Sequence, residues 1–429
     1  MIANDLPKSF VNPPLNNQNF MKSHVKLSAC VCAALFGASA NPVAAQTIYN
    51  WSNNLGGNWS VPANWGSVAG APPDVITEAA VVPILTGGAF TITLDLAPNI
   101  DSFDIQDTDT TFNLNGQTMT VATTFTNSGT VTNTGTIAAA GSIINNVGGL
   151  IRLDNNQSLT TVTPTITNNG TIINSGIGNF TDLRLSGNTT INGSGTIMLG
   201  NNVNNRLFGH AGNGTERITN NSTIQGGGQI GVNVTKLTNN GTIIANLPTA
   251  LVFDPTDGVG DAVNTGTLRA ASGGTLILGL GQYTNAGGTI EALDASVVDI
   301  RDGARIIGGT LTTAGTGVIG TANGFELQNV TNNGLIRINN NQFVTLLDTF
   351  RNDGVVELNS IGNFTDIRFA TDTTITGTGT LRFSNNQFAN RIISSPSGNL
   401  ITIGSGQTIE GSFSVGYNVS RFINNGLIN

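Results

Sequence analysis

Asn239-Asn-Gly-Thr-Ile243 decides the fold, because the same five-residue phrase keeps returning along the chain. It is met as Asn133-Thr-Gly-Thr-Ile137, Asn168-Asn-Gly-Thr-Ile172, Asn264-Thr-Gly-Thr-Leu268, Asn332-Asn-Gly-Leu-Ile336 and Asn424-Asn-Gly-Leu-Ile428. Looser copies fill the gaps, at Gly149, Gly195, Ser222, Gly288, Gly309, Gly354, Gly379 and Gly406. The slot returns about every 23 residues, a period that marks a solenoid in which each repeat is one turn of a coil.

The residues after the Gly slot carry a period of two. Two places on stand Ile151, Ile172, Ile197, Ile243, Leu268, Ile290, Leu311, Ile336, Val356 and Leu381. The next place holds Arg152, Arg269, Glu291, Arg337, Glu357 and Arg382, and the one after is again mostly apolar. That alternation is a strand with one dry and one wet face. Asn and Gly ahead of it supply the tight or left-handed backbone of a corner. Thr, Val and Ile favour strands, and successive turns of one coil make those strands parallel. Stacked turns would set Arg337, Glu357, Arg382 and Glu410 in one outward column of alternating sign, and the corner asparagines in a ladder of side-chain amides. The fold expected is all-β: a parallel β-helix of some 15–17 turns.

A longer period overlies the short one. Gly178-Asn-Phe-Thr-Asp182 returns as Gly362-Asn-Phe-Thr-Asp366, and Leu150-Ile-Arg152 as Leu335-Ile-Arg337. A superunit of about 185 residues, or eight turns, is therefore duplicated whole. The sequence closes inside a strand of the second copy, at Leu427-Ile-Asn429, which reads as a fragment of a longer protein because an uncapped coil exposes its edge.

Residues 1–45 read as an N-terminal extension and a signal peptide: basic Met21-Lys-Ser-His-Val-Lys26, an apolar run from Leu27 to Ala40, and Val43-Ala-Ala45 before Gln46. Leu27-Ser-Ala-Cys30 matches a lipoprotein box only superficially, since no apolar run precedes it. Cys30 and Cys32 leave with the leader, so an exported chain without disulfides must draw its stability from the hydrogen-bonded coil. The leader also removes Asp5 and three lysines from 25 acids and 17 bases, leaving 24 acids against 14 bases. A charge of that sign argues against nucleic acid as a partner, and no later stretch is apolar and long enough to span a membrane.

Residues 46–126 read as an N-terminal cap with the first strands, and 127–429 as the coil proper. All three tryptophans, Trp51, Trp59 and Trp65, fall in the first of these segments. They have two readings, an aromatic platform for carbohydrate contact or the small core of a cap, and a solenoid's need for a cap favours the second.

Gly57-Asn-Trp-Ser-Val-Pro-Ala-Asn-Trp65, Gly308-Gly-Thr-Leu-Thr-Thr-Ala-Gly-Thr-Gly-Val-Ile319, the leader and the repeated phrase together give a family likeness. The chain resembles the β-helical passenger regions of autotransporters and filamentous-haemagglutinin-type adhesins of Gram-negative bacteria. The resemblance implies a right-handed parallel β-helix shown at, or released from, the cell surface in association with the outer membrane. It implies partners among surface glycans or proteins of host or neighbouring cells.

Candidate chemistry is sparse. After residue 45 there is one histidine, His210, in a Gly-rich loop, and no cysteine, so nucleophile triads have little to draw on. Asp182 with Arg184, repeated as Asp366 with Arg368, is the best acid-base pairing; its duplication favours a structural ion pair. Asp254-Pro-Thr-Asp257-Gly-Val-Gly-Asp261 gathers Asp254, Asp257 and Asp261 within eight residues, a candidate Ca²⁺ loop without EF-hand spacing, or an ordinary polar turn. Asp101, Asp104, Asp107 and Asp109 read as a solvated edge. The sequence points to an exported, non-catalytic structural or adhesive rod, with a carbohydrate-active β-helix enzyme or binding module as the alternative.

Overall fold

A computed structural model describes residues 46–66 and 70–429, which form one continuous parallel coil. The leader expected over residues 1–45 lies outside the described residues. Among the described residues every strand pairing is parallel, in about 15 turns, and the single helical element is a 3-10 turn at Pro62–Trp65. No helix among the described residues is long and apolar enough to cross a membrane.

Each turn contributes one strand to each of three ladders. The first ladder begins at Thr47–Asn50, the second at Gly57–Asn58 and the third at Asn99–Ile100. The third is a sheet of 16 strands; the other two merge where Phe325–Asn332 and Phe343–Asn352 run across both. At a rung spacing of about 4.8 Å, 16 rungs extend roughly 75 Å.

Alternation fixes the faces as expected. Ile336, Val356, Leu381 and Ile409 are buried and stack in register, while Arg337, Glu357, Arg382 and Glu410 pair one above the next on the wet face. Arg337 Nε lies 2.6 Å from Glu357, and Arg382 Nε 2.6 Å from Glu410. Arg269 likewise faces Glu291 across one rung.

The amide ladder forms inside the coil. Asn127 Nδ2 donates to Asn145 Oδ1 (2.8 Å) and Asn145 Nδ2 to Asn168 Oδ1 (2.7 Å); a second run links Asn220, Asn239, Asn264 and Asn285 at 2.7–2.8 Å. Most of these amides also donate to a corner carbonyl, as Asn239 does to Gly241 and Thr267. A buried polar column is tolerated because its members satisfy one another from turn to turn. Asn133 stands outside this column; it donates to Asn113 and accepts from Gln157 on another corner.

One expectation is refined. The phrase does not hold one angular position: the strands after Gly149 to Gly309 lie in the second ladder, while those after Gly334, Gly354 and Gly379 lie in the third. The phrase makes a corner, and any corner of the coil accepts it. Between Gly309 and Gly334, Asn329 takes over the intervening corner at a φ of 56°, and Asp348 does so one turn later at 60°. The two superunit copies are consequently one sheet out of phase, eight turns and one face apart.

The segment 46–126 is coil from its start. Thr47–Asn50 pairs with Glu78–Val82, and the boundary expected between 126 and 127 falls inside the strand Thr124–Asn127. Its aromatic side chains form a column within the first turns: Trp59 sits 4.4 Å from Trp65 and 5.1 Å from Phe103, centroid to centroid, with Phe103 4.9 Å from Phe112.

Candidate functional site

The tryptophans are core residues. Trp51, Trp59 and Trp65 are fully buried, and each indole N–H donates to a carbonyl, of Asn53, Pro73 and Trp59 respectively. A ring with neither face exposed offers no platform to a sugar, so carbohydrate contact at these three positions is set aside in favour of packing.

The acidic loop also reads differently in three dimensions. Asp261 is already engaged: one oxygen lies 3.1 Å from Lys236 Nζ, and the other accepts from the Thr256 hydroxyl at 2.9 Å. Asp254 and Asp257 remain near each other, and burial, with the Asp257 charge beside it, raises the Asp254 carboxyl above the usual range. The same two carboxylates add to the burial that pushes the Tyr283 hydroxyl up. Asp254, Asp257 and Asp261 thus fail to converge as a Ca²⁺ cage, and no group of three His, Cys, Asp or Glu among the described residues is placed to hold a metal. His210 is exposed in its loop, and Asp107 is buried rather than solvated, accepting from the backbone N–H groups of Leu85 and Asp109.

The polar constellation with the most structure is the duplicated one. Asp182, on the strand Thr181–Ser186, is 1% exposed, and Asp366, on Thr365–Phe369, is 0% exposed. Each carboxylate is held by two arginines. Arg184 Nη2 meets Asp182 Oδ2 at 2.6 Å, while Arg206, one rung on, grips both oxygens through Nε (2.7 Å) and Nη2 (2.8 Å). In the second copy Arg368 Nη2 lies 2.9 Å from Asp366, and Arg391 grips both oxygens at 2.7 and 2.9 Å. Sequence reading found Asp182, Arg184, Asp366 and Arg368 but missed Arg206 and Arg391. Their signal was present, since Asn205-Arg206 and Asn390-Arg391 are also 185 apart.

An aromatic ring covers one arginine of each pair, and in the second copy Arg368 also lies 3.7 Å from the centre of Phe343. Arg206 lies 3.8 Å from the centre of Phe180, and Arg391 3.6 Å from the centre of Phe364. The loops carrying these rings are fixed by one device in both copies. Asn155 Oδ1 accepts from the N–H groups of Ile177, Gly178 and Asn179, and Asn340 Oδ1 accepts from Ile361 and Asn363.

Among the surface grooves elsewhere, two adjoin charged residues. One of about 350 Å³ opens on the third ladder where Gly320 interrupts the outward column between Asp299 and Arg337. The other, about 250 Å³, is bordered by Asp257, Gln282, Arg305 and Glu326. In it Glu326 is already engaged by Arg305 Nε at 2.5 Å.

Comparison of the chain with protein-family models, with curated proteins and with solved structures returns no match.

Proposed function

We propose that this chain is an exported, non-catalytic structural and adhesive rod that carries its distal surface away from the cell. The observation behind the reading is the state of its carboxylates. The two most buried constellations, at Asp182 and Asp366, are clamped by arginines, and the outward column from Arg337 to Glu410 is self-paired. General acid–base work needs a carboxylate open to substrate, and here a bidentate arginine occupies both oxygens of Asp182 and of Asp366. The leader-like segment and the resemblance to β-helical passengers support export.

One observation favours the carbohydrate-active alternative: the groove of about 250 Å³ has two carboxylates, Asp257 and Glu326, on its border. A single experiment separates the two. The protein is incubated with a panel of neutral and acidic polysaccharides, and new reducing ends and unsaturated sugars are measured. The rod reading expects none, together with adhesion of protein-coated beads to cell or glycan surfaces. Turnover abolished by Asp257→Asn or Glu326→Gln would establish the enzyme instead.

A further inference from the structure

The duplicated clusters hold more positive charge than their carboxylates require. Asp182 is satisfied by Arg206 alone, which meets both of its oxygens, and Asp366 is satisfied in the same way by Arg391. Arg184 and Arg368 then leave each cluster with a net charge of +1, in a chain whose formal charge is −8. Both surplus arginines reach the surface, about one third exposed, and their Nη1 groups donate to no side chain or carbonyl among the described residues.

The rings stacked on the other arginine of each cluster, Arg206 and Arg391, are held but not covered. Phe180 and Phe364 stack on arginine with one face and remain 54% and 49% exposed, on loops locked by Asn155 and Asn340. Packing around the clusters has drifted between the copies: Phe208 corresponds to Ile393, Val203 to Phe388 and Ser158 to Phe343. Through those changes the charged triad, the ring and the locking asparagine are kept. A fixed aromatic face next to a cation suits a ligand with an apolar ring face and a carboxylate on that ring. Asn179 and Asn363 stand in the same loops and add amide donors and acceptors for hydroxyl groups.

We propose that the two clusters are twin binding sites for the carboxylate-bearing sugar units of an acidic polysaccharide. The surplus arginine takes the carboxylate through Nη1, and the phenyl face takes the apolar face of the sugar ring. Eight successive pairings of the first ladder separate the strand beside Asp182 from that of Asp366. The sites therefore lie about 40 Å apart along the coil, one sheet round from each other. A polymer long enough to span them binds both, with an avidity gain of about 10²–10⁴ over one site. The inference rests on the rod reading, which supplies the surface; loss of binding refutes the sites and leaves the rod, whereas product release refutes the rod.

The test is titration of the full chain with oligogalacturonates, one too short to bridge the sites and one long enough, beside a neutral galacto-oligosaccharide of equal length. Short acidic probe should bind with a stoichiometry of two, falling to one in Arg184→Gln or Arg368→Gln and to zero in the double variant. Long acidic probe should bind wild type at least about 100-fold tighter than either single variant. Asp182 and Asp366 keep their bidentate partners in these variants, and an unchanged far-UV spectrum and melting temperature verify the fold. Phe180→Ala with Phe364→Ala should weaken the short probe at both sites. Absence of binding to wild type, equal binding of the neutral probe, or undiminished binding by the folded double variant would each overturn the proposal.

Discussion

Exchanging the inward and outward neighbours Val356 and Glu357 for charged residues should give unequal damage, and the inequality can be worked out from their places. Val356 is 2% exposed and stacks between Ile336 and Leu381. Val356→Asp removes about 1.5–3 kcal/mol of apolar burial and sets a carboxyl among aliphatic side chains with no donor. Even protonated, that group adds a penalty of about 1–3 kcal/mol. The sum, about 2.5–6 kcal/mol, exceeds what neighbouring rungs can absorb. Glu357→Lys acts on the wet face: it removes the 2.6 Å contact with Arg337 and stacks a third cation between Arg337 and Arg382. Its side chain is 15% exposed and two pairs are lost, each near the upper end of about 1 kcal/mol, so the loss is about 1–2 kcal/mol. Solenoids open locally, so amide hydrogen exchange across 335–410 is the suitable assay. Val356→Asp should erase protection in the strand 355–359 and in its neighbours above and below. Glu357→Lys should speed exchange by about 5- to 30-fold, corresponding to those 1–2 kcal/mol. Equal damage, or greater damage from Glu357→Lys, would refute the assignment of faces.

Three further outcomes follow from the same geometry. Asn239→Leu should cost about 2–4 kcal/mol locally, because Asn220 Nδ2 and Asn264 Oδ1 lose their partner inside the coil; exchange protection of 236–245 reads it. Asp254 is held above the usual carboxylate range by burial and by Asp257, so its ionisation opposes folding above that raised value and the opposition vanishes as pH falls through it. Asp254→Asn should therefore raise the melting temperature at pH 7 and leave it little changed near pH 4. Asp353 runs the other way: the backbone N–H of Thr378, and then Arg351, hold it low, so its contribution is present above the unfolded value near 4 and is lost as pH falls through the folded one. Asp353→Asn should accordingly be more harmful at pH 7 than at pH 3, measured as a difference in melting temperature.

The coil was legible because its signals are local and repeated. A corner needs Asn and Gly, a strand with one dry face needs alternation, and both recur at each turn, as at Asn239-Asn-Gly-Thr-Ile243. What misled was whatever depends on which turn stacks on which. The phrase at Asn332 looks like the phrase at Asn264 but serves a different corner, because Asn329 and Asp348 form the intervening bends without a glycine. Trp51, Trp59 and Trp65 left two readings, platform or core, with the core favoured; their burial, with Phe103 and Phe112 packed on Trp59, makes them core. Asp254, Asp257 and Asp261 look like a cation loop in one dimension, yet Lys236, 25 residues earlier, claims Asp261. Arg206 escaped for the same reason, since it meets Asp182 across a rung, not within a strand.

The coil is parallel, and its second superunit lies eight turns along and one sheet round from the first. Because the chain beyond residue 45 has no cysteine, paired spin labels at Asn179→Cys and Asn363→Cys, with Cys30 and Cys32 replaced, measure this directly by electron–electron dipolar coupling. The rise of eight turns and a third at about 4.8 Å per turn, with the lateral step between sheets, predicts one distribution centred at about 40–50 Å. A centre below about 30 Å, or a broad distribution without a peak, would contradict it.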